Sequence, residues 1–282
     1  MDGIIVINKP SGYTSHDIVS KIRKKLNIKK VGHTGTLDPL ATGVLPILLG
    51  GGTKLSQYLI NHDKEYIATI KLGVKTDTGD IEGQVIEEKQ VPEISEEGLG
   101  KVLQSFLGPQ KQVPPMYSAI KVNGKKLYEY ARKGEKVEVE PRNIEIYNIE
   151  LLEFGQEQIK IRVACSKGTY IRTLCEDIAE KLNTVGTMFA LERTKVGEFE
   201  LEKAITIDEL ENKQILQNSL ITPEKLFWEK PEIELDQGEL VRFLNGMILK
   251  KEKPNALYRI YVQGKFIGIG DITNNRLKRE YV

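Results

Sequence analysis

Residues 144–166 read IEIYNIELLEFGQEQIKIRVACS, and this stretch indicates the fold class more directly than the rest of the chain does. Its first part, 144–154, is rich in apolar and β-branched residues. Its second part, from 158 onwards, alternates apolar with polar side chains, which is typical of a strand with one buried face. We therefore predict two long strands, 144–154 and 158–166, that pair with each other in a sheet.

On both sides of this pair, the chain alternates between strand patterns and helix patterns. Further strands are predicted at 3–8, 44–49, 64–72, 85–88 and 117–122, and helices behind Thr14, around 55–59, and over 95–107, 127–131 and 174–182. The segment 31–41 has no periodicity and is predicted to be a loop. Strands interrupted by helices, with long strands adjacent to each other, favour an α+β fold built on a mixed, mostly antiparallel sheet.

A domain boundary is predicted near Glu229-Lys230-Pro231, which divides the chain into residues 1–229 and 230–282. The second part contains a helix pattern at 238–244 and two strands, 257–262 and 265–270, around the tight-turn pair Gln263-Gly264. A β-rich unit of this length is only marginally stable alone. We therefore expect a small β-rich domain attached to a larger one.

The composition is that of a soluble globular protein, with 282 residues, 40% hydrophobic and 29% charged residues, and a net charge of +1. No apolar run approaches the length that a membrane-spanning helix needs, and the first residues do not resemble a secretory signal. The two cysteines, Cys165 and Cys175, match no redox or zinc spacing and are expected to be structural thiols in a reducing compartment. These features predict a cytoplasmic protein.

Basic residues are concentrated in two stretches despite the neutral total charge. Residues 21–30 hold six of them without an acidic residue, and the second stretch holds Lys121, Lys125, Lys126, Arg132, Lys133 and Lys136. A solvated helix face is one interpretation of each stretch, and contact with nucleic acid is the other. Composition permits an RNA partner without indicating one.

The stretch VGHTGTLDPLATG, residues 31–43, contains the first candidate for a catalytic group. Pro39 restricts Asp38 to extended geometry, so the loop can hold a single carboxylate in a fixed orientation. An ordinary turn residue beside a proline is the alternative interpretation of Asp38. A metal site built on His33 and Asp38 is conceivable, but the other histidines, His16 and His62, show no partner spacing. GGGTK at 50–54 lacks the order of a phosphate-binding loop.

Two other segments place functional residue types at element ends. Lys64-Glu65-Tyr66 sets a tyrosine in a strand, and SKGTYIRT at 166–173 joins a strand to a helix. Tyr170 and Arg172 are predicted to lie at the strand end, where functional side chains are common. Each residue alone can equally be explained by packing or by surface charge.

Taken together, these segments resemble the TruB-type tRNA pseudouridine synthases, bacterial enzymes that act on uridine 55 in the TΨC arm. The resemblance covers essentially the whole chain and rests on seven segments in order: GIIVINKP at 3–10, 31–43, KEY at 64–66 with Leu72-Gly73, DTGD at 77–80, PPMYSA at 114–119, 166–173, and LERT at 191–194. It implies a pseudouridine synthase catalytic domain over 1–229. It also implies a PUA-like RNA-binding domain over 230–282, supported by 238–246 and the closing hairpin.

The resemblance also implies roles for individual residues. Asp38 would be the catalytic carboxylate, Arg172 would pair with it, and Tyr66 would stack on the flipped base and assist proton removal from C5. Substrate contacts are implied for His33, Tyr66, Tyr170 and Leu191, and a supporting role for Lys9 and Pro10. The reaction implied is isomerisation of uridine to pseudouridine without a cofactor or a metal, on the TΨC arm of tRNA. A monomer with no obligate protein partner is expected.

Three alternatives for the chemistry stay open at this point: Asp38 attacks C1′ of the ribose, attacks C6 of the base, or removes a ribose proton. Two alternatives for the function stay open as well. In the first alternative, the chain is the catalytic subunit of a guide-RNA particle and depends on partner proteins. In the second, it is a non-catalytic RNA-binding or RNA-folding protein.

Overall fold

A computed structural model describes residues 1–135 and 137–282 of the chain. The strands are β1 (Gly3–Lys9), β2 (Val31–His33), β3 (Thr42–Leu49), β4 (Lys64–Leu72), β5 (Val74–Thr76), β6 (Val85–Glu88), β7 (Gly108–Gln112), β8 (Lys121–Val122), β9 (Lys125–Lys126), β10 (Arg142–Phe154), β11 (Gln158–Cys165), β12 (Gly186–Val196), β13 (Phe199–Glu200), β14 (Glu232–Glu234), β15 (Leu249–Lys250), β16 (Ala256–Val262), β17 (Lys265–Thr273) and β18 (Arg276–Tyr281). The α-helices are α1 (Ser15–Leu26), α2 (Ser56–Leu59), α3 (Glu96–Gln104), α4 (Leu127–Ala131), α5 (Ile171–Lys181), α6 (Lys213–Ser219), α7 (Pro223–Leu226) and α8 (Gln237–Leu244).

The large sheet has nine strands, seven of them in the order β1-β3-β12-β4-β11-β10-β7, while β2 pairs with β3 and β13 pairs with β12. The predicted pair is present as β10 and β11, which are antiparallel with Ile149 opposite Val163. Only β3 and β12 run parallel in this sheet, through Thr42–Glu192 and Gly43–Arg193. The predicted α+β fold with a mixed, mostly antiparallel sheet is confirmed.

The two faces of this sheet bury different sets of side chains because residues alternate along each strand. On one face, helices α1, α3 and α5 contribute to the main core: Ile18, Ile22, Leu99, Leu103, Leu174 and Ile178. The opposite face buries a second cluster that includes Ile4, Val6, Val44, Leu48 and Phe199. The candidate site lies on the helix-covered face.

Helix α1 begins where the sequence predicts it. The Thr14 side chain accepts a hydrogen bond from the Asp17 N–H, and the Asp17 carboxylate accepts one from the Thr14 N–H, which completes the capping box. This cap fixes Ser15 in a buried position, where its hydroxyl accepts a hydrogen bond from the Leu37 N–H at 2.9 Å. The start of α1 therefore holds the loop that contains Asp38.

Three of the differences from the sequence prediction concern segments near the candidate site. The predicted loop 31–41 begins with the short strand β2, which pairs with β3. The predicted strand 117–122 is reduced to β8, because the carbonyls of Tyr117 and Ser118 accept hydrogen bonds from Arg172 and from the backbone of Tyr128 instead of from a strand. Strand β12 was not predicted, because two register shifts break its alternation and it buries the polar residues Thr187 and Arg193.

The chain after Pro231 forms a second sheet of five strands in the order β14-β16-β17-β18-β15, with its own apolar core. Its β16–β17 hairpin turns at Gln263 and Gly264, whose φ values of 50° and 72° are left-handed as a tight turn requires. Helix α2 contacts this second sheet through Tyr58, whose hydroxyl donates to Glu280 of β18 at 3.1 Å and whose ring packs edge-on against Phe227. Burial and Glu280 raise the pKa of Tyr58 to about 12.

The division at residues 229 and 230 stays a prediction. Within residues 1–135 and 137–282, no helix is both long enough and apolar enough to cross a membrane.

Candidate active site

Asp38 lies on the loop between β2 and β3, and its carboxylate is partly open, with 34% of the side chain exposed. The loop is held from below by Lys9, which is fully buried. The Lys9 ammonium donates to the carbonyls of Pro10, Tyr13 and Pro39 at 2.9, 2.7 and 3.1 Å. Burial lowers the pKa of Lys9 to about 8, although the nearby Asp38 charge opposes this shift. The structure thus places Lys9 beneath the loop, consistent with the supporting role that was expected.

Arg172 lies against Asp38, as the sequence resemblance implied. The Arg172 Nε atom is 3.0 Å from Asp38 Oδ2, and Arg172 Nη2 is 3.5 Å from Asp38 Oδ1. The same guanidinium donates to the carbonyls of Thr78 at 3.0 Å and Tyr117 at 2.8 Å. Only 7% of the Arg172 side chain is exposed, so the charge is desolvated, and the shortest of its contacts with a carboxylate is the one with Asp38.

The position of Arg172 in the chain differs from the expectation. It lies in the first turn of α5 rather than at a strand end, because β11 stops at Cys165 and the intervening turn leads directly into the helix. Tyr170 is the residue that caps this helix. Its backbone N–H donates to Gln112 Oε1 at 2.8 Å, and its carbonyl accepts from Gln112 Nε2 at 3.0 Å. Gln112 in β7 therefore fixes the backbone at the start of α5, the helix whose first turn contains Arg172.

Asp80 is a second carboxylate beside Arg172 that the sequence analysis did not select. Its Oδ2 atom lies 3.9 Å from Arg172 Nη1, and its side chain is buried. Its Oδ1 atom accepts hydrogen bonds from the Thr78 hydroxyl at 2.8 Å and from the Glu82 N–H at 3.2 Å. The DTGD segment at 77–80 is one of the segments that carry the resemblance, and its two acidic residues were the signal that could have identified this group.

The environment of Asp38 combines opposing electrostatic effects. Burial raises its pKa above the ordinary aspartate value, the Arg172 guanidinium opposes this rise, and the Asp80 carboxylate adds to it. A carboxylate in such surroundings is poorly solvated yet paired with a cation. This is the environment of a group that can act as a nucleophile or as a base.

Tyr66 lies on β4 on the same face of the sheet and is 8% exposed. Burial raises the pKa of its phenol, while hydrogen bonding and charge from Arg193, its cross-strand partner on β12, lower it. Leu191 is two residues before Arg193 and is buried in the same core cluster as Tyr66. The structure therefore gathers Asp38, Tyr66 and Leu191 on one face of the sheet, with Arg172 and Tyr170 at the adjoining end of α5.

His33 lies on β2, at the start of the loop that contains Asp38. Its Nδ1 atom is buried and has no hydrogen-bond partner within residues 1–135 and 137–282. Burial and the Arg193 charge lower the pKa of His33. No group of three or more His, Cys, Asp or Glu side chains in this described part of the chain is arranged to hold a metal ion.

The two basic stretches contact aromatic rings and acidic groups. Lys21 lies over the Tyr13 ring at 3.9 Å, and Lys25 forms an ion pair with Glu211 at 2.6 Å. In the second stretch, Lys126 and Arg132 lie over the ring of Tyr128 at 5.3 and 5.4 Å. Lys136, the last residue of that stretch, lies outside the described residues.

Comparison with known proteins gives three matches to family models. Residues 23–171 match the N-terminal domain of the TruB family pseudouridylate synthases. Residues 172–237 match the tRNA pseudouridylate synthase B C-terminal domain, and residues 231–279 match the C-terminal part of pseudouridine synthase II TruB.

The chain is also similar to individual proteins. It is 46% identical to a tRNA pseudouridine synthase B of Francisella philomiragia, over 98% of this chain and 93% of the relative. It is 47% identical to the protein of that name from Clostridium tetani, over 99% and 98% of the two chains. A solved structure titled as a Cbf5-Nop10-Gar1 complex has a chain of similar fold, with a TM-score of 0.69 and 26% identity over 95% of this chain and 78% of that one.

Proposed function

The chain belongs to the TruB family of pseudouridylate synthases, and from this membership we propose that it acts on uridine 55 in the TΨC loop of tRNA with Asp38 as the catalytic carboxylate. The general activity, isomerisation of uridine to pseudouridine in tRNA, is the one in the names of its relatives. The observation that carries the proposal for Asp38 is its ion pair with the buried Arg172 at 3.0 Å.

The reaction makes few demands beyond a positioned carboxylate. The bond between N1 and C1′ breaks, a bond between C5 and C1′ forms, the proton on C5 is lost to water, and N1 regains a proton. Nothing is oxidised or reduced, so neither a redox cofactor nor an energy source is required, and we propose that none is used. Asp38 can attack C1′ or C6, or remove a ribose proton, and each route needs its ionised form.

Arg172 would hold the carboxylate in place through this sequence. Its guanidinium is already oriented by the carbonyls of Thr78 and Tyr117, so little reorganisation is needed when the substrate arrives. A planar guanidinium with several donors suits this task better than a lysine, which binds as a point charge.

The remaining residues would enclose the base. A uridine inside a folded RNA loop must leave its stack before its C5 atom can be reached. Tyr66 would stack on the extracted base, a contact worth ~1–3 kcal/mol, and would assist loss of the C5 proton. Tyr170 and Leu191 would line the uracil pocket, and His33 would fill the gap left in the RNA.

We propose that the enzyme binds the TΨC arm alone, as a monomer. The basic stretches at 21–30 and 121–136 would contact phosphates, and RNA recognition would rely on shape and backbone. The similar Cbf5 chain was solved in a complex with Nop10 and Gar1, so a partner-dependent enzyme is the second candidate. Modification of naked tRNA by the purified chain would separate the two.

The test uses a T-arm stem-loop with tritium at C5 of the target uridine. The purified protein, without added metal or cofactor, should release tritium to water, and Asp38→Ala and Asp38→Asn should release none while binding the RNA. Absence of release from the folded parent would reject the stand-alone synthase. Release from the Asp38 variants at the parental rate would reject Asp38 as the catalytic group.

A further inference from the structure

Arg193 on β12 is a second buried guanidinium near the candidate active site. Arg193 is only 1% exposed, yet its guanidinium forms no ion pair with a carboxylate in the described part of the chain. A buried charge needs other polar partners, because removal from water is otherwise strongly unfavourable. The polar groups that Arg193 contacts instead therefore indicate what this side chain stabilises.

Three of its contacts are backbone carbonyls on the two sides of Asp38. Arg193 donates to Gly35 O at 3.3 Å and Thr36 O at 3.3 Å, just before Asp38, and to Val44 O at 2.8 Å, after it. One rigid, planar side chain thus ties together both ends of the loop that presents the carboxylate.

The backbone of Arg193 fits equally closely against this loop. Arg193 pairs with Gly43 in the parallel β3–β12 contact, and a Cβ atom at Gly43 would lie 2.2 Å from the Arg193 carbonyl oxygen. Only a glycine permits this approach. The position of the loop relative to β12 is therefore set by Arg193 through both its side chain and its main chain.

The other partner of Arg193 is Tyr66, its cross-strand neighbour on β4. The guanidinium interacts with the phenol hydroxyl, and its charge opposes the rise that burial causes in the pKa of Tyr66. Arg193 also lowers the pKa of Asp38. A single side chain therefore acts on both groups to which we assign a role in the reaction.

We propose that Arg193 is a positioning residue that connects the Asp38 loop to Tyr66, so that the carboxylate and the phenol meet the extracted uridine in a fixed relative geometry. The proposal rests on the proposed function, because it assigns Arg193 a task only if Asp38 and Tyr66 act on uridine. It predicts that Arg193 contributes to the chemical step rather than to RNA affinity.

The test compares Arg193→Lys and Arg193→Gln with Lys195→Gln, a control on the same strand whose partly exposed side chain pairs with Glu200. Single-turnover rates are measured with enzyme in excess and at saturation, where the rate constant does not depend on the folded fraction. Both Arg193 variants should slow pseudouridine formation by about 100-fold, the scale of a small misplacement of reacting groups. Their Kd for the T-arm should stay within about threefold of the parent, as should the rate of Lys195→Gln.

The contact between Arg193 and Tyr66 is tested separately, through the pH dependence of the rate. Arg193→Gln should move the limb of the pH–rate profile that reports Tyr66 to higher pH, because the phenol loses a cation that favours its ionised form, whereas Arg193→Lys should move it less. A rate within threefold of the parent in folded Arg193→Gln, or an equal loss of rate and affinity, would overturn the proposal. Failure of both variants to give any folded protein would also overturn it, because Arg193 would then serve stability alone. If the parent itself releases no tritium, the proposed function fails instead.

Discussion

At the scale of single residues, the proposed role of Asp38 depends on how charges are distributed around its carboxylate. Arg172 lies at 3.0 Å, and Asp80 approaches the far side of the same guanidinium at 3.9 Å. The cation is thus shared between two carboxylates of which only Asp38 is partly open to solvent. This arrangement leaves Asp38 as the carboxylate that a substrate can reach.

The same charges predict opposite pH effects for two variants. Asp38 must be ionised to act, so the single-turnover rate should rise as the pH increases through its pKa. Arg172 lowers that pKa and Asp80 raises it. In Arg172→Gln the acid limb of the profile should therefore move to higher pH, and in Asp80→Asn it should move to lower pH.

Rates measured from about pH 4 to pH 8 on saturated enzyme would show both shifts. Arg172→Gln is also expected to slow the reaction at every pH, so the position of the limb, and not its height, is the relevant quantity. A shift of both variants in the same direction would contradict the assignment of the acid limb to Asp38.

At the scale of elements, the candidate site depends on how the loop between β2 and β3 is fastened. Helix α1 holds it through Ser15, β1 holds it through Lys9, and β12 holds it through Arg193. Each of these hydrogen bonds is made to a backbone group of the loop. A side chain as short as aspartate can be placed accurately only if the backbone beneath it is fixed.

A substitution at Gly43 tests the contact between the loop and β12, with Gly12 as its matched control. Both have left-handed φ values, 101° and 83°, but a Cβ atom would meet the Arg193 backbone at Gly43 and nothing within 4 Å at Gly12. Gly12→Ala should cost about 1–2 kcal/mol of unfolding free energy from backbone strain alone. Gly43→Ala should cost clearly more and should reduce the rate, because β3 must separate from β12.

Urea unfolding and single-turnover rates of the two variants would measure the difference. Equal losses of stability at the two positions would show that the close approach between Gly43 and Arg193 is not required for the fold.

At the scale of the whole molecule, a net charge of +1 gives little overall attraction for tRNA, which is a polyanion. The charge is unevenly placed: Lys29 and Lys30 are exposed after α1, and the β8–β9 hairpin contains three lysines within six residues, Lys121, Lys125 and Lys126. Some basic groups in these stretches are already engaged, such as Lys25 with Glu211. Local rather than total charge should therefore control RNA affinity.

Binding of the T-arm should accordingly weaken at least about tenfold between roughly 50 and 200 mM salt, because bound phosphates release counterions. The double variant with Lys29→Glu and Lys30→Glu should bind more weakly and depend less steeply on salt. Lys101→Glu, which reverses an exposed lysine paired with Glu97 on α3, is the control and should keep the parental slope. An affinity that is flat with salt would contradict phosphate binding by these stretches.

The sequence by itself determined the elements whose signals are local. The alternation of 159–165, the helix that begins behind Thr14 and the tight turn at Gln263-Gly264 each appear in the structure as predicted, because hydrophobic period, caps and turns depend on residues that are neighbours in the chain. The segment motifs were likewise sufficient to indicate the family, which the comparisons confirm.

Only the tertiary structure decided what depends on residues far apart. Strand β12 escaped prediction because Arg193 and Thr187 are buried by partners on other strands, which no local hydrophobic pattern reveals. The contacts of Asp80 with Arg172 and of Arg193 with Val44 exist only because α5 and β3 pack beside them. A buried charge is stable only where distant groups compensate it, so its position is a property of the folded molecule rather than of the segment that contains it.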